Sequence, residues 1–395
     1  MKIPIAKTLF TEEDYDGVRK VLESGWVVQG PRVKEFEDYW NLFTGSKNSI
    51  AVTSCTTALH LALIAAGIKA GDEVIVPAFT WVATANAVEY TGAVPVFCDI
   101  DFNTFNIDVT KIESRITEKT KAIIPVHLFG LAVEMDSVMA IARKHNIKVI
   151  EDAACGFGAY YKNVHAGNFG DFGCFSFHPR KAITTGEGGM ITTNNSEDSE
   201  TLRSLRDHGA SVSDLMRHEG NKPYLLPEFP HLGYNYRMTD VQASLGVSQM
   251  KRAHVICERR NEVAKILSDG LKNIEWLKLP FVGKDFKHGY QSYVCMFAPE
   301  EITAANVGEI NSRRNKFMDY LLANGISTRP GTHAVHNLEY YSKKYSIKPT
   351  DFLNSYIADQ CSISLPVFPG LTAEEIDYII EKIQKYEFEK LNLYD

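Results

Sequence analysis

Two charged side chains stand at positions where a charge needs a partner. Asp152 follows an apolar run that is typical of a buried strand, and a carboxylate there is costly unless a cation meets it. It suits a protonated ring nitrogen, a helix N-terminus or a metal ion, and the local sequence does not decide among them. Lys181 lies in a loop between Pro179 and Gly186. Such a lysine is usually a solvated surface residue, but the surrounding Ser, Thr and Gly favour an amine held against an aldehyde to form a Schiff base.

A second group of small polar residues follows another strand. Ser54, Cys55 and Thr56 lie where a strand ends and a helix begins, and free backbone N–H groups there favour an anion such as a phosphate. Simple N-capping by Ser54 or Thr56 explains the same residues. Trp81, after the next strand, offers an aromatic face to a planar ring, although most Trp residues pack in cores.

The elements that must position these residues alternate along the chain. Between residues 49 and 195, short β-branched runs alternate with helical patterns, which predicts a mostly parallel, doubly wound α/β sheet with ligands at its strand ends. The predicted strands are 49–53, 73–77, 94–99, 122–127, 148–152 and 174–177. The predicted helices are 56–66, 80–91 and 135–145.

The pattern changes after residue 238, where a long helical stretch runs to about residue 269. Weaker strands near 290–298 and helices near 307–324 and 372–386 follow. We therefore expect a large domain over residues 1–250 and a smaller C-terminal α+β domain over 251–395. Two further predicted helices, 12–24 and 33–43, precede the sheet and belong to the first range, but their packing does not follow from the pattern.

Composition excludes several classes of protein. The 42 Lys and Arg against 49 Asp and Glu give a charge of -7, so no global positive field attracts nucleic acid or an anionic membrane. The seven cysteines are scattered without a Cys-x-x-Cys pair, which argues against disulfides and a zinc site and predicts a cytoplasmic protein. No membrane span is expected, and no dinucleotide fingerprint or phosphate loop is present.

Three motifs carry the most specific information. They are Glu151-Asp152-Ala153-Ala154, Ser176-Phe177-His178-Pro179-x-Lys181 with Gly186-Glu187-Gly188-Gly189, and Gly233-Tyr234-Asn235-Tyr236-Arg237-Met238. With other matches between residues 24 and 372, they make the chain resemble the sugar aminotransferases of the DegT/StrS type. The resemblance implies fold type I of the pyridoxal-phosphate enzymes, the fold of aspartate aminotransferase.

The resemblance also implies a role for individual residues. Lys181 corresponds to the lysine that forms the Schiff base with pyridoxal phosphate and moves the proton, and Asp152 to the partner of the cofactor's ring nitrogen. The remaining cofactor contacts are implied for Ser54, Cys55, Thr56, Trp81, Ser176 and Asn235. Of these, Trp81 would stack on the ring and Asn235 would reach the phosphate of the neighbouring subunit, so a homodimer with shared active sites is expected.

Two positions depart from the family pattern, and three further positions face the substrate by analogy. Cys55 stands where Gly is common, and Cys155 where Gln, Glu or His is frequent. Substrate contacts are expected from His178, Arg329 and His333, and no metal is expected.

The activity implied by the resemblance is transfer of an amino group from L-glutamate to a nucleotide-linked keto-deoxysugar, with pyridoxamine phosphate as the intermediate cofactor form. Residues 183–190 resemble perosamine-synthase-like members, which favours a 4-keto-6-deoxy sugar and a product for glycans such as the lipopolysaccharide O-antigen. The alternatives are a 3-keto sugar, a glutamine-dependent cyclitol aminotransferase and a non-catalytic regulator that binds pyridoxal phosphate. Lys181 argues against the related dehydratases, in which histidine replaces the lysine.

Overall fold

The chain is seen in a computed structural model that describes residues 1–220, 224 and 226–386. Its strands are β1 Asn48–Val52, β2 Glu73–Pro77, β3 Phe79–Thr80, β4 Val94–Cys98, β5 Thr120–Ile123, β6 Lys148–Asp152, β7 Tyr160–Tyr161, β8 Val164–His165, β9 Phe172–Ser176, β10 Gly189–Thr193, β11 Leu277–Lys278, β12 Phe286–Lys287, β13 Tyr293–Phe297, β14 His333–Ala334 and β15 Ser362–Leu365. Its helices are α1 Glu12–Ser24, α2 Pro31–Thr44, α3 Cys55–Ala65, α4 Ala83–Tyr90, α5 Val109–Ile112, α6 Met135–His145, α7 Ser196–Leu205, α8 Asp214–Glu219, α9 Asp240–Met250, α10 Ala253–Leu271, α11 Val307–Ala323, α12 Glu339–Tyr345, α13 Leu353–Cys361 and α14 Ala373–Gln384. Short 3-10 helices lie at Glu113–Arg115, Leu128–Gly130, Val335–Asn337 and Pro349–Phe352.

A seven-stranded sheet in the order β1-β10-β9-β6-β5-β2-β4 positions the candidate residues. The strands from β9 to β4 are parallel, and β10 runs antiparallel to both of its neighbours. Val76 packs into the apolar cluster on one face and Ile75 into the cluster on the other. The sheet is therefore covered on both faces, which explains why apolar residues occupy successive positions of its strands. The mostly parallel sheet confirms the predicted α/β fold class.

Several predicted boundaries were wrong for local reasons. The predicted strand 122–127 is Thr120–Ile123, because the chain beyond Pro125 forms only an isolated bridge between Val126 and Asp152. The predicted strand 174–177 is Phe172–Ser176. The predicted helix 80–91 begins only at Ala83, because β3 pairs with β14. The long helical stretch predicted after residue 238 is confirmed and consists of two helices, α9 and α10.

A second, antiparallel sheet in the order β11-β13-β15 lies in the C-terminal part of the chain. Helices α10, α11, α13 and α14 contribute buried side chains to the same apolar cluster as its strands. The predicted division at residue 250 falls between α9 and α10; it stays a prediction, and residues 387–395 lie outside the described residues. Among the described residues, no helix is long and apolar enough to cross a membrane.

The N-terminal helices, which the sequence pattern left unplaced, pack against α9. Asp240, at the start of α9, accepts hydrogen bonds from three backbone N–H groups around the start of α2. Glu37 of α2 is buried and bonds to Arg203 and Arg206 at 2.8 and 2.7 Å. Burial alone would raise the pKa of Glu37, but Arg206 and Arg203 hold it below its ordinary value. These contacts fix α1 and α2 to the main body of the protein.

Candidate active site

A cleft of about 590 Å³ lies at the carboxyl ends of β6 and β9. It is bounded also by the start of α3, by residues of the C-terminal part and by the N-terminal segment. The residues proposed from sequence that line it are Ser54, Cys55, Thr56, Trp81, Asp152, Ser176, His178, Lys181, Arg329 and His333. The structure therefore brings together all the predicted site residues except Asn235.

Asp152 ends β6 and points into this cleft. Its two carboxylate oxygens accept one hydrogen bond each, from the hydroxyl of Thr84 at 2.7 Å and from the backbone N–H of Ala154 at 3.1 Å. The Thr84 hydroxyl lies 3.1 Å from the hydroxyl of Thr80, which itself lines the cleft. Burial raises the pKa of Asp152, and these hydrogen bonds offset only part of the effect. A cationic ring nitrogen in the cleft would offset the remaining effect of burial.

Glu151, the preceding residue, has the opposite environment. Its carboxylate accepts hydrogen bonds from the backbone N–H groups of Gly167, Phe169 and Gly170, each at 2.7 Å, and lies 2.8 Å from Nε2 of His127. Nδ1 of His127 accepts a backbone N–H bond, so its Nε2 carries the proton that is donated to Glu151. The hydrogen-bonding capacity of the Glu151 carboxylate is thus met within the protein, and these bonds fix the end of β6.

Lys181 lies in a loop that two glutamines hold in place. Gln291 accepts a hydrogen bond from the backbone of Ala182 at 3.0 Å and donates one to the backbone of Arg180 at 2.7 Å, so it bonds to the residues on both sides of Lys181. Gln249 makes the same pair of bonds with Thr184. The loop that carries this lysine is therefore held by hydrogen bonds on both sides of it, although no helix or strand contains it.

Two cysteines contribute to the cleft. The thiol sulfur of Cys155 lies 3.2 Å from the amine of Lys181, and Cys55 lies at the start of α3. Burial, with the nearby Asp152 carboxylate, raises the pKa of Cys55 well above its ordinary value, so its thiol is neutral. Because a thiolate and not a thiol is the nucleophile, Cys55 is suited to binding rather than to covalent chemistry.

The N-terminus of α3 opens into the cleft and suits an anion. Ser54 caps this helix by accepting a bond from the backbone N–H of Thr57 at 3.1 Å, and the first N–H groups of an α-helix have no acceptor within the helix. A Cβ at Gly189 would lie 2.4 Å from the Ser54 backbone, so β10 can approach only because this residue is glycine. The hydroxyls of Thr56 and Ser176 line the same cleft.

The outer part of the cleft is more open. The Trp81 ring is 54% exposed, and its centroid lies 5.7 Å from that of His333. Nδ1 of His333 is 3.9 Å from the Asp359 carboxylate. Arg329 is exposed, and its backbone pairs with Ser364. Among the described residues, none makes a side-chain hydrogen bond or ion pair with its guanidinium.

His178 lies at the same loop as Lys181. Burial and the cations Arg180 and Lys181 lower its pKa, against the opposite effect of Glu187. It is therefore neutral at pH 7, and its Nδ1 accepts a bond from the backbone of Arg180 at 3.3 Å. A neutral imidazole here leaves Nε2 as a hydrogen-bond donor to a ligand.

Asn235 is exposed and does not line this cleft. Its backbone forms a bridge with Asp207, and it stands between Tyr234 and Tyr236, whose rings stack 5.0 Å apart. Its place outside this cleft accords with the expectation that it serves a neighbouring subunit, which stays a prediction.

The sequence did not reveal four residues that belong to the site. Thr84 and Gln291 act through hydrogen bonds to Asp152 and to the Lys181 loop, and Ile5 and Ala6 line the cleft from the N-terminal segment. Thr84 lies in the first turn of α4, shortly after Trp81. A search of that turn for hydroxyl side chains would have found it. The other three reach the cleft only through tertiary packing.

These residues fit pyridoxal phosphate. The N-terminus of α3 and its hydroxyls suit the phosphate, Trp81 offers a face to the ring, and a cation on the ring would stabilise the ionised form of buried Asp152. Lys181 is the amine that lines the same cleft. We call Ser54, Asp152, Ser176 and Lys181 the floor of the cleft, and Ile5, Ala6, Arg329 and His333 its rim.

The chain is similar to known aminotransferases over nearly its whole length. Residues 9–384 match the DegT/DnrJ/EryC1/StrS aminotransferase family. A GDP-perosamine synthase of Caulobacter vibrioides is 37% identical over 97% of this chain and 98% of its own. The sugar aminotransferase Spr1654 of Streptococcus pneumoniae, solved in a PMP-form, has a TM-score of 0.90 at 29% identity, covering 100% of this chain and 99% of its own. PseC of Helicobacter pylori, an aminotransferase of pseudoaminic acid biosynthesis, has a TM-score of 0.87 at 28% identity, covering 98% and 99%.

Proposed function

The chain belongs to the DegT/DnrJ/EryC1/StrS aminotransferase family, and from that premise we propose that it transfers an amino group from L-glutamate to a nucleotide-linked keto-deoxysugar. The observation that carries the proposal is that one cleft holds Lys181 and Asp152 together with Arg329 and His333. We favour a 4-keto-6-deoxy acceptor, and the similarity to a GDP-perosamine synthase supports a nucleotide-linked sugar.

The cofactor of this aminotransferase is pyridoxal phosphate. When bound, it supplies an aldehyde that takes up an amino group and a protonated ring that withdraws electrons from the carbon beside the nitrogen. In the proposal Asp152 holds the proton on the ring nitrogen, because an ionised carboxylate in this buried position stabilises a cation strongly. Thr84 and the backbone of Ala154 orient its two oxygens.

Lys181 moves the proton in the proposed reaction. It takes the α-proton of glutamate in the first half-reaction and returns a proton to the sugar carbon in the second. The hydrogen bonds of Gln291 to both neighbouring residues keep the amine in one position, which proton transfer over hydrogen-bond distance requires.

The other cleft residues bind and orient. Ser54, Cys55, Thr56 and Ser176 hold the phosphate through backbone N–H groups and hydroxyls, and Trp81 covers a face of the ring. At the outer end, Arg329, His333 and His178 are proposed to contact the acceptor. A guanidinium that has no side-chain partner among the described residues suits the diphosphate that links sugar and nucleoside.

A homodimer completes the site in this proposal. Asn235 is exposed, and the nearby residues Leu226, Phe229 and Leu232 expose 59 to 88% of their surface, as an interface would require. Mixing Lys181→Ala protein with Asn235→Ala protein tests this, because a mixed dimer contains one site with both residues intact. Activity that rises on mixing supports shared sites; mixing without any gain contradicts them. A cytoplasmic location and a role in O-antigen assembly stay predictions.

The decisive experiment follows the absorbance of the protein loaded with pyridoxal phosphate. Addition of L-glutamate should replace the visible band of the cofactor by the near-ultraviolet band of pyridoxamine phosphate, and a nucleotide-linked 4-keto-6-deoxyhexose should restore it. A response to glutamine alone would favour the alternative donor, and NMR of the product distinguishes amination at carbon 4 from carbon 3. No response to any donor would leave the non-catalytic alternative.

A further inference from the structure

The N-terminal segment crosses the protein before its first helix. Ile3 has no exposed surface and belongs to the C-terminal apolar cluster. Its backbone N–H donates to Gly325 at 2.8 Å, and its carbonyl accepts from Ser327 at 2.9 Å. This end of the segment is therefore bound to the C-terminal part of the chain.

The other end is bound beside the Lys181 loop. The hydroxyl of Thr8 donates to the carbonyl of Pro179 at 2.9 Å, two residues before Lys181. At the start of α1, buried Asp14 bonds to Thr11 and is paired with Arg252. We call residues 3–11 the N-terminal strap, since contacts at both ends hold it across the protein.

Between these contacts the strap faces the cleft. Ile5 and Ala6 are half-buried and line it, as do Leu365 and Val367 from the end of β15 and beyond. The strap has no helix or strand of its own between Ile3 and α1, so its position depends on the contacts at its two ends. The rim thus joins an apolar wall to the polar side chains Arg329 and His333.

We propose that Ile5 of the strap determines acceptor specificity by packing against a deoxygenated carbon of the sugar; this rests on the proposed function. Both substrates must bring their reacting carbon to Lys181. Glutamate is small and need not reach beyond the floor, whereas a nucleotide-linked sugar is long enough to reach the rim as well. An apolar side chain stabilises a methyl group, but it leaves a hydroxyl at the same position without a hydrogen bond.

Two half-reactions separate this role from a general effect on the enzyme. For the sugar half-reaction, Ile5→Ser protein loaded with pyridoxamine phosphate is mixed with the nucleotide-linked 4-keto-6-deoxyhexose. For the glutamate half-reaction, the same variant loaded with pyridoxal phosphate is mixed with L-glutamate. We expect the half-saturating sugar concentration to rise about 10-fold, since one lost apolar contact has about this effect on discrimination. The glutamate reaction should change less than about twofold. Lys7→Ala, an exposed strap residue that does not line the cleft, is the matched control.

Hydrogen exchange gives a readout that does not depend on turnover. A nucleotide-linked 6-deoxyhexose without the keto group should slow amide exchange in residues 3–10, and L-glutamate should not. Thermal unfolding of Ile5→Ser checks that the variant is folded.

The outcomes separate the two proposals. Equal sugar reactions of Ile5→Ser and the parent, or equal losses in both half-reactions, would overturn the role of Ile5 alone. A parent protein that reacts with glutamate but with no keto-sugar nucleotide would overturn the proposed acceptor and, with it, this role.

Discussion

The floor and the rim of the cleft differ in how their polar side chains are held. On the floor, Asp152 and Ser54 are oriented by hydrogen bonds from the protein, and Lys181 by a loop that Gln291 fixes. On the rim, the Arg329 guanidinium has no side-chain partner among the described residues, and His333 is half exposed. Side chains that are oriented before any ligand binds, as on the floor, suit a cofactor that is the same in both half-reactions. Exposed side chains, as on the rim, become ordered only around the ligand that they bind.

The comparison predicts that floor substitutions affect both half-reactions and rim substitutions only the second. The largest expected effect is that of Lys181→Ala, because no other lysine among the described residues lines the cleft to replace its proposed proton transfer. The rate of the glutamate-driven absorbance change should fall by about 10³-fold or more. Lys343→Ala, on the exposed face of α12, serves as control; turnover of Lys181→Ala at the parent rate would contradict the proposal.

Asp152→Asn should have the next largest effect. It should lower the rates of both half-reactions by about 10²-fold or more, since the neutral amide cannot stabilise a protonated ring.

The same substitution should stabilise the cofactor-free protein at pH 7. Burial raises the pKa of Asp152, so its ionised form costs folding free energy. This cost is absent below pH ~4, grows as pH rises toward the folded-state pKa and persists above it.

Thermal unfolding of the cofactor-free proteins between pH ~4 and ~8 measures this effect. The advantage of Asp152→Asn should be greatest at neutral pH and should shrink in acid. An asparagine variant that unfolds at a lower temperature than the parent at pH 7 would show that Asp152 already has a favourable partner in the protein.

Thr84→Val tests whether orientation of the floor matters. It removes the 2.7 Å bond to Asp152 while keeping the shape of the side chain, and both half-reactions should slow about 10-fold. Loss of the bond should also shift the pH dependence of the bound cofactor's absorbance. A substitution that affects only the stability of the fold would leave this pH dependence unchanged. Thr80→Val, one hydroxyl further away, should have a smaller effect, and equal effects of the two would argue against a direct role of Thr84.

Arg329→Ala should have the smallest effect and should be confined to the rim. The half-saturating concentration of the sugar nucleotide should rise by up to about 10-fold, because one charge-assisted bond to the diphosphate is lost. The glutamate half-reaction should be unchanged, and the parent's affinity should fall with salt more steeply than the variant's. A slower glutamate reaction in Arg329→Ala would remove the distinction between floor and rim.

Sequence and structure agree best where a local pattern determines the element. The strand predicted at 148–152 is β6 to the residue, and its last residue, Asp152, is part of the floor. The strand β10 was missed because it follows a glycine-rich loop and pairs with β1, far away in sequence. Ile5 and Gln291 reach the cleft from distant segments, and no local signal marks such contacts.

The site residues show the same division. Lys181 and Asp152 could be proposed because a motif carries them, and the structure places both in one cleft. The contrast between Glu151 and Asp152 could not be foreseen, since adjacent residues of one strand point to opposite sides and only the fold shows which side is saturated.

The pairing of β1 with β10 has a consequence for how the protein acquires its site. Asn48 pairs with Thr193 and Val52 with Gly189, so the turn after β1, where we propose that the phosphate binds, meets its neighbouring strand only once the ribosome has released the intervening chain. Contacts between segments so far apart slow folding, because a long loop must close before any pairing compensates its entropy. During synthesis there is therefore a stage at which the residues of β1 and α3 have been made, but β10, which lies beside the N-terminus of α3 in the folded protein, has not.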